Sequence, residues 1–415
     1  MANNVLQSDL ERQTKNFMAR VYPEAKAWFK TAANTLFNGI IHGGDTLVTR
    51  LAAFVEDTQT SPKGICERVS GWLQHYDLST PAAEWLLAHN APRVLKDTTV
   101  AVDLGDLSKP FGGKGMEGMA RGWDGSRHTT AMGHTFCAAV AVAPSRQHVY
   151  PLHFAFEKGR KNEHKRVEST LRAVAGATGG NGMYALDRGN DSEDLLTLLQ
   201  SLGCRAVVRV NFLTRDVFGT GLAIDKQLDA EERAEARLFK SNGHVDARIS
   251  WRAGRLSELH DTPLLLVRSE FAGRTLYLYA LPGKDGAAEL KANPKRLALA
   301  AAQAYLDRWQ IEVFFERVKQ DFSLEDARVR TFKRLKNLFF LCVLGYSFCT
   351  DVLPSTPEHT RMLKVFKDNF QRVTHRMQTF LSGLRTLLEL PRLNFISGRP
   401  RKRVYVPDGQ LLLWG

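Results

Sequence analysis

Residues 305–319, YLDRWQIEVFFERVK, combine one acid, two bases and a phenol at helical spacing. An α-helix turns about 100° per residue, so Tyr305, Arg308, Glu312 and Lys319 fall within an arc of about 60° on one helix face. The adjoining arc is apolar and would seat the helix on a protein core. A carboxylate flanked by phosphate-binding side chains on an anchored helix favours a metal site that acts on nucleic acid. The apolar residues are Ile311, Phe314, Phe315, Val318 and Phe322.

Parts of this segment have other interpretations. The Arg308–Glu312 pair alone is typical of solvated helices, where opposite charges four residues apart are common. Glu316 falls on the same helix face as Glu312, so geometry alone leaves it open as the functional acid. The spacing from Tyr305 and Arg308 favours Glu312.

The bulk composition favours a polyanionic partner. The chain has 415 residues, of which 44% are hydrophobic and 24% charged, as in ordinary globular proteins of more than one domain. Its net charge is +13, and residues 321–415 contain twice as many basic as acidic side chains. This uneven distribution fits nucleic acid better than an acidic metabolite.

Sequence patterns also argue against several classes of protein. The five cysteines show no C-x-x-C spacing and the twelve histidines no H-E-x-x-H spacing, so neither a disulfide framework nor a zinc site is indicated. No signal peptide opens the chain, and the apolar stretch at 338–349 is too short to span a bilayer. We therefore expect a cytoplasmic protein without a membrane partner.

Residues 1–96 are predicted to be helical, with breaks at HGGD (42–45), SPKG (61–64) and LSTP (78–81). Short helices joined by short turns are compatible with a helix-turn-helix DNA-binding domain, although small helical bundles look the same. We take this region as a candidate DNA-binding domain.

The next region, residues 97–210, changes to the pattern β-β-β-α-β-α-β. This order predicts a ribonuclease-H-like core, in which three antiparallel strands lead into two parallel ones. Asp103 ends the first predicted strand and Asp187 ends the fourth, so both carboxylates would emerge side by side. The strands are predicted at 98–105, 129–144, 148–157, 183–189 and 204–210, and the helices at 164–177 and 191–203.

The rest of the chain is predicted to be divided into three parts. Residues 211–292 read as a β-rich insertion, because 125 residues separate Asp187 from Glu312 and antiparallel strands are predicted at 244–254, 262–271 and 274–283. Residues 293–345 complete the core, with the Glu312 helix beginning near Pro294. Residues 346–415 form a basic helical region for DNA contact or dimerisation. Beyond the Glu312 helix, two more helices are predicted at 334–351 and 357–388, followed by a basic tail at 398–406. The predicted class is α/β, with a ribonuclease-H-like mixed sheet interrupted by a β-rich insertion and flanked by helical terminal regions.

Three carboxylates from distant segments match the needs of divalent cations. Mg²⁺ takes few protein carboxylates together with substrate phosphates, and two such ions about 4 Å apart can serve phosphoryl transfer. Asp103 would bridge both ions, with Asp187 on one and Glu312 on the other, and Mn²⁺ is expected to substitute. Asp106 stays an alternative to Asp103, and Asp191 is expected to cap the following helix.

Three segments, AVDLGDLSKP, ALDRGND and YLDRWQIEVFFERVK, together resemble the DDE insertion-sequence transposases of the Y-R-E-K signature group over about residues 98–340. The resemblance implies a Mg²⁺-dependent ribonuclease-H-like core, recognition of terminal inverted repeats and a homodimer in the synaptic complex. It also implies hydrolysis to a 3′-OH that then attacks target DNA. Tyr305, Arg308 and Lys319 would contact phosphates near the scissile bond, and Asp187-Arg188 matches the family's Asp-Arg step.

Further DNA contacts are expected outside these motifs. ARVRTFKRLKN (327–337) carries five basic residues and no acid directly after the Glu312 helix. The loop at 111–115 and the run at 157–166 are either solvated or in contact with phosphate. Trp251 is either a packed core residue or a platform for an unpaired base. The expected contacts in 327–337 are Arg328, Arg330, Lys333 and Arg334.

Two other functions compete with the transposase interpretation. A nuclease or resolvase on the same core would hydrolyse DNA without strand transfer. A domesticated relative would bind DNA without cleaving it, although the acids at all three positions count against that.

Overall fold

The computed structural model describes residues 2–109, 115–124, 129–159, 163–215, 217–218, 223–228, 232–256, 262–284, 286–360 and 362–363. Within these residues, ten strands form one mixed sheet with helices on both faces, which confirms the predicted α/β class with a ribonuclease-H-like core. The strands are β1 (Thr99–Ser108), β2 (Ala120–Asp124), β3 (Thr129–Val142), β4 (Val149–Phe156), β5 (Met183–Leu186), β6 (Arg205–Arg209), β7 (Glu232–Lys240), β8 (Gly243–Leu256), β9 (Thr262–Phe271) and β10 (Arg274–Pro282).

The helices precede, cross over and follow this sheet along the chain. They are α1 (Ala2–Val21), α2 (Ala27–Gly43), α3 (Val48–Leu51), α4 (Pro62–His75), α5 (Ser79–Asn90), α6 (Glu163–Thr178), α7 (Glu193–Ser201), α8 (Gly286–Ala292), α9 (Pro294–Arg308), α10 (Gln310–Asp321) and α11 (Phe332–Ser347).

The strand order is β2-β3-β1-β5-β6-β10-β9-β8-β7, with β4 also paired to β3. Strands β1, β5 and β6 are parallel neighbours, whereas β3, β4 and β7–β10 pair antiparallel. Strands β7–β10, from the stretch predicted as an insertion, continue the same sheet because β10 pairs with β6. The division of the chain into domains stays a prediction.

Two described strands, β2 and β7, have no counterpart in the sequence prediction. The β7 sequence, ERAEARLFK, is rich in residues that favour helix, so local propensity does not indicate a strand. Its pairing with β8 across a tight turn at 241–242 forms the strand instead. Tertiary pairing therefore decides the structure of this segment.

Helices cover the two faces of the sheet and enclose three hydrophobic clusters. Helices α6 and α7 cover one face, where they pack against residues such as Val100 and Val102 of β1. On the opposite face, α9 packs against β1 and against β5–β10, and α10 and α11 lie over β1, β3 and β4. Helix α9 can lie close to the strands because small side chains, Ala298, Ala301 and Ala302, form its buried side.

The N-terminal helices pack against the same cluster as α10 and α11. Residues from α1, α2, α4 and α5 join α11 in one continuous core. The predicted breaks correspond to helix ends: Gly44 caps α2 in the left-handed conformation, and the Ser61 hydroxyl caps α4 by accepting from Gly64 N. The segment at 45–57 contains only the single turn of α3 and a 3₁₀ turn at 52–54 among its described elements.

Two details of the predicted elements are wrong. Strand β1 continues to Ser108, so Asp103 lies inside it rather than at its end, because β3 goes on pairing with this strand to Ser108. The helix carrying Tyr305 and Glu312 begins at Pro294 as predicted but is interrupted at Trp309, between α9 and α10. The interruption occurs where the chain passes from the cluster under α9 to the one under α10.

The C-terminal part of the described chain begins with the apolar helix α11. It leads into a π-helical turn at 348–352 and a 3₁₀ turn at 353–355. The stretch Phe332–Ser355 is long and apolar enough to cross a membrane, but it is mostly buried within the protein, as the core helix of a globular fold would be. Several predicted segments lie outside the described residues. They are most of the helix at 357–388, the tail at 398–406, residues 111–114 of the loop and residues 160–162 of the basic run.

The close approach of Gly105 to Phe136 generates a stability prediction. A Cβ atom at Gly105 would lie within 3.0 Å of three ring atoms of Phe136, which is itself packed against Phe156 and Phe315. Gly105→Ala should therefore lower the free energy of unfolding by about 1–3 kcal/mol, because the enclosed ring must move. Urea denaturation followed by tryptophan fluorescence measures this change. The control Gly176→Ala, in an open position on α6, should not lower stability.

Candidate active site

The alternation of side chains along β1 and β5 brings two predicted acids to the same face of the sheet. Ala101 of β1 faces the cluster under α10, and Ala185 of β5 faces the one under α9. Asp103 and Asp187 lie two residues further along and therefore point to that side. The last residues paired between β1 and β5 are Val102 and Leu186. Asp103 and Asp187 are the next residues along these two neighbouring segments.

Arg308, at the end of α9, joins two of the predicted acids. Its Nη1 donates to Asp103 Oδ2 at 2.7 Å, and its Nη2 donates to Glu312 Oε1 at 2.9 Å. The arginine is 6% exposed, whereas the Asp103 and Glu312 side chains are 21% and 35% exposed. The guanidinium therefore lies beneath the carboxylates, which form the wall open to solvent.

Asp187 accepts a hydrogen bond from α9 and lies near a cation of β6. The Tyr305 hydroxyl of α9 donates to Asp187 Oδ1 at 2.9 Å, and Arg209 Nη1 lies 3.9 Å from the same oxygen. The ring of Tyr305 also lies beneath Arg308, with 5.5 Å between the guanidinium carbon and the ring centroid. Tyr305 and Arg308 thus link Asp103, Asp187 and Glu312 into one network.

The electrostatics of the three acids differ. Burial raises the pKa of Asp103 and of Glu312, against the opposing attraction of Arg308. Burial also acts to raise the pKa of Asp187, but the Arg188 amide, the charge of Arg308 and the Tyr305 hydroxyl outweigh it and lower that pKa. Burial raises the pKa of Tyr305 to about 12, so its hydroxyl is a neutral donor at physiological pH.

Lys319 lies in a second cluster rather than with the three acids. Its Nζ donates to Asp106 Oδ1 at 3.1 Å and lies 3.6 Å from Glu325 Oε1. Arg308 and Lys319, predicted to share one arc of about 60° on a continuous helix, therefore contact two different groups of acids. Asp106, the alternative to Asp103, belongs to the Lys319 cluster.

A buried lysine supports this second cluster from beneath. Lys109 Nζ donates to the carbonyls of Leu324, Glu325 and Ala327 at 2.9, 2.6 and 3.1 Å. Burial lowers its pKa to about 8, and the three carbonyl acceptors complement the ammonium form. Ser108 N also donates to Glu325 Oε1 at 3.0 Å, so the end of β1 is tied to the turn that follows α10.

The predicted DNA contacts beyond the acids lie mainly on the surface. Arg188 is exposed in the 3₁₀ turn directly after Asp187. Arg328 and Arg330 are exposed and alternate with buried apolar residues in the extended segment before α11. Lys333 is exposed and donates to the His75 carbonyl at 3.3 Å, whereas Arg334 is half-buried.

Three alternatives from the sequence lie away from the Arg308 network. Glu316 is exposed and accepts a hydrogen bond from Gln320. The sequence predicts that Asp191 caps α7, but this prediction is wrong. The buried carboxylate of Asp191 accepts hydrogen bonds from the Asn211 amide and from Arg215 instead. Trp251 is buried and donates to Glu232 at 2.7 Å, which makes it a packed residue of the sheet.

Two residues of the site were missed from the sequence. Arg209 ends β6, and the parallel register of Leu186 with Val208 brings Arg209 opposite Asp187. That position could have been found, because Arg209 ends β6 and Asp187 directly follows β5, its parallel neighbour. Glu325 follows α10 in a 3₁₀ turn, and no local sequence pattern connects it with Lys319.

The donor set of the three acids fits a hard divalent cation. Carboxylate oxygens from β1, the end of β5 and α10 converge on one guanidinium, so the site already accommodates positive charge. Among the described residues, however, no group of three acids, histidines or cysteines is arranged closely enough to hold a metal ion. The oxygens are suitable ligands, but one oxygen each of Asp103 and Glu312 already accepts a hydrogen bond from Arg308.

The fold and the clustered acids define a protein of the ribonuclease-H-like class. The profile of the transposase DDE domain matches residues 96–348, which is more than half of the chain and includes Asp103, Asp187 and Glu312. The chain therefore belongs to the transposase DDE domain family, whose members are metal-dependent enzymes that act on DNA. A search of curated protein sequences gives no match.

The buried position of Lys109 generates a second prediction. Lys109→Met would leave three carbonyls of the turn after α10 without their donor, so it should lower the free energy of unfolding by about 2–4 kcal/mol. Urea denaturation provides the measurement. Lys63→Met, on the exposed surface of α4, is the matched control and should leave stability unchanged. Equal stability of the two variants would show that Lys109 does not support the turn.

Proposed function

We propose that this protein is a DDE transposase of the Y-R-E-K signature group that cuts and joins the ends of an insertion sequence. The observation that carries the proposal is the contact of one guanidinium, Arg308, with Asp103 and Glu312 beside Asp187. These residues come from three separate parts of the range that matches the transposase profile. Their convergence at one end of a parallel strand pair supports a catalytic role.

Asp103, Asp187 and Glu312 would hold Mg²⁺, or Mn²⁺ in its place. When bound, two such ions would supply Lewis-acid stabilisation of the attacking and leaving oxygens at phosphorus. The three side chains contribute oxygen ligands from rigid elements, and their partial exposure leaves them open to a DNA strand.

Tyr305, Arg308 and Lys319 would bind phosphates next to the cleaved bond. A planar guanidinium matches two phosphate oxygens as well as it matches carboxylates, so Arg308 suits a phosphate near the acids. Tyr305 is neutral at physiological pH and donates a hydrogen bond, so its role would be orientation rather than proton abstraction. Lys319 would bind a phosphate further along the strand, beside Asp106.

The remaining DNA path would follow basic surface residues from the active site towards α11. Arg188 lies next to Asp187, and Arg328, Arg330, Lys333 and Arg334 lie before and within the first turn of α11. The net charge of +13 supports binding of double-stranded DNA with terminal inverted repeats, and of target DNA. Residues 1–96 would contribute end recognition, and residues 346–415 DNA contact or dimerisation.

The proposed cellular context follows from this chemistry. A synaptic complex holds two element ends, so a homodimer with one active site for each end is the simplest assembly. The protein would act in the bacterial cytoplasm, at the nucleoid.

The first test is a cleavage assay on duplex DNA that carries the ends of the element encoding this chain. With Mg²⁺ or Mn²⁺, the wild type should produce breaks at the element boundary and then strand-transfer products. Asp103→Asn, Asp187→Ala and Glu312→Gln should each abolish both products, because they remove proposed metal ligands, without weakening binding in a gel-shift assay that contains no divalent cation.

The control for this assay is Glu316→Gln, on the exposed side of α10, which should retain cleavage. Full activity of Glu312→Gln would remove Glu312 from the site. Breaks without joined products would indicate a nuclease or resolvase. Specific binding without cleavage by the wild type would indicate a domesticated DNA-binding protein.

A second test concerns phosphate binding by Lys319. Lys319→Ala should weaken binding to element ends and reduce the slope of log Kd against log salt concentration by about 1, because one phosphate contact is lost. Fluorescence anisotropy over a salt series measures both quantities. Lys291→Ala, which removes an exposed charge on α8, is the control. An identical slope for Lys319→Ala and wild type would make Lys319 a structural residue of its cluster.

A further inference from the structure

Arg308 lies where a cation is needed, among the three acids proposed to hold metal. Its two Nη atoms donate to Asp103 and Glu312, and its charge also acts on Asp187. The side chain is buried between the sheet and the start of α10, and its Nε is buried without a hydrogen-bond partner. The guanidinium is therefore held by the two carboxylates rather than by a complete set of its own hydrogen bonds.

This arrangement competes with metal binding. A carboxylate oxygen engaged in a charged hydrogen bond, and partly neutralised by it, is a weaker ligand for a divalent cation. Within the described part of the chain, no group of three acids, histidines or cysteines is arranged closely enough to hold a metal ion, and one guanidinium donates to both Asp103 and Glu312. A divalent ion that takes Asp103 Oδ2 or Glu312 Oε1 as a ligand must displace the hydrogen bond that Arg308 donates to that oxygen.

We propose that Arg308 is a gate for the metal site: it is the resident counter-ion of Asp103 and Glu312 and opposes divalent cations until a DNA phosphate draws it away. The proposal rests on the proposed function, in which these acids are the metal ligands. It adds an order to the reaction, because the acids become fully available only when DNA is bound.

The surroundings of Arg308 provide the means for this exchange. The residue is the last of α9, next to Trp309, which separates α9 from α10. The Glu312 and Asp187 side chains are each 35% exposed, which leaves a route for a phosphate from solvent. A phosphate can accept the same two parallel hydrogen bonds that the carboxylates now accept. By linkage, DNA and metal should then increase each other's affinity.

The test measures Mn²⁺ binding to the full-length protein without DNA, by the loss of the free Mn²⁺ signal in electron paramagnetic resonance. Arg308→Gln should bind Mn²⁺ at least about tenfold more tightly than wild type, which corresponds to about 1.4 kcal/mol. Arg308→Lys should fall between the two, because one ammonium cannot span both carboxylates as a guanidinium does. Equal or weaker binding by a folded Arg308→Gln protein would overturn the gate.

Two control variants separate the gate from other effects. Arg146→Gln breaks another arginine–carboxylate pair, that of Arg146 with Asp307 beside Arg308, and should bind Mn²⁺ like wild type. A gain equal to that of Arg308→Gln would mean a long-range charge effect and would overturn the gate. If Asp187→Asn loses Mn²⁺ binding while Arg308→Gln shows no gain, the gate is wrong and the proposed function stands. If Asp187→Asn binds Mn²⁺ as the wild type does, both the gate and the proposed metal-binding function are wrong.

The wild-type protein provides a second measurement that does not depend on the folding of a variant. Addition of a duplex with the element ends should raise the Mn²⁺ affinity of the wild type, and should raise that of Arg308→Lys by a smaller factor. Circular dichroism establishes that each variant is folded. A wild-type affinity that the duplex leaves unchanged would overturn the gate even if Arg308→Gln did not fold.

Discussion

The parallel pairing of β1 with β5 is the constraint on which the site depends. Because side chains alternate along a strand, the register of Val102 with Leu186 determines that the next residues, Asp103 and Asp187, share one face. A shift of one residue would turn one of the two acids to the face under α6. The covering helix α9 must then lie close enough for Tyr305 and Arg308 to reach both acids. Its run of alanines allows that approach.

The sequence allowed much of this arrangement to be predicted, for identifiable reasons. The runs TTVAVDLG and MYALDRG show strand patterns that lead to an aspartate, and the spacing of Tyr305, Arg308 and Glu312 is a local property of the chain. The interruption at Trp309 was not predictable, because Trp309 keeps helical backbone angles and the amphipathic pattern of the sequence continues through it. The contact of Lys319 with Asp106 spans 213 residues, so no periodicity reports it. Strand β7 was missed because its composition favours a helix.

The distance between Arg308 and Lys319 along the helices determines which acids they reach. Both α9 and α10 pack on β1, and the two residues lie 11 positions apart in the sequence, about 16 Å along a helix axis. Arg308 ends buried beneath Asp103, whereas Lys319 reaches the more exposed Asp106. One sequence motif thus supplies two basic groups in environments with different degrees of solvent screening. The buried pairs must be the more costly to break, because water replaces their partners least effectively.

Every basic side chain that the motif brings to the site is already paired with an acid. Arg308 is bonded to Asp103 and Glu312, and Lys319 to Asp106, which lies on the same strand as Asp103. A phosphate that enters this site therefore exchanges partners with carboxylates instead of meeting free cations. The exchange lowers the net gain from each phosphate contact, but it also releases carboxylate oxygens that divalent cations prefer. A phosphate that binds Arg308 leaves the carboxylates of Asp103 and Glu312 without their cation, and a divalent cation can then neutralise them. The binding of the anionic substrate and of the metal is therefore coupled through the same side chains.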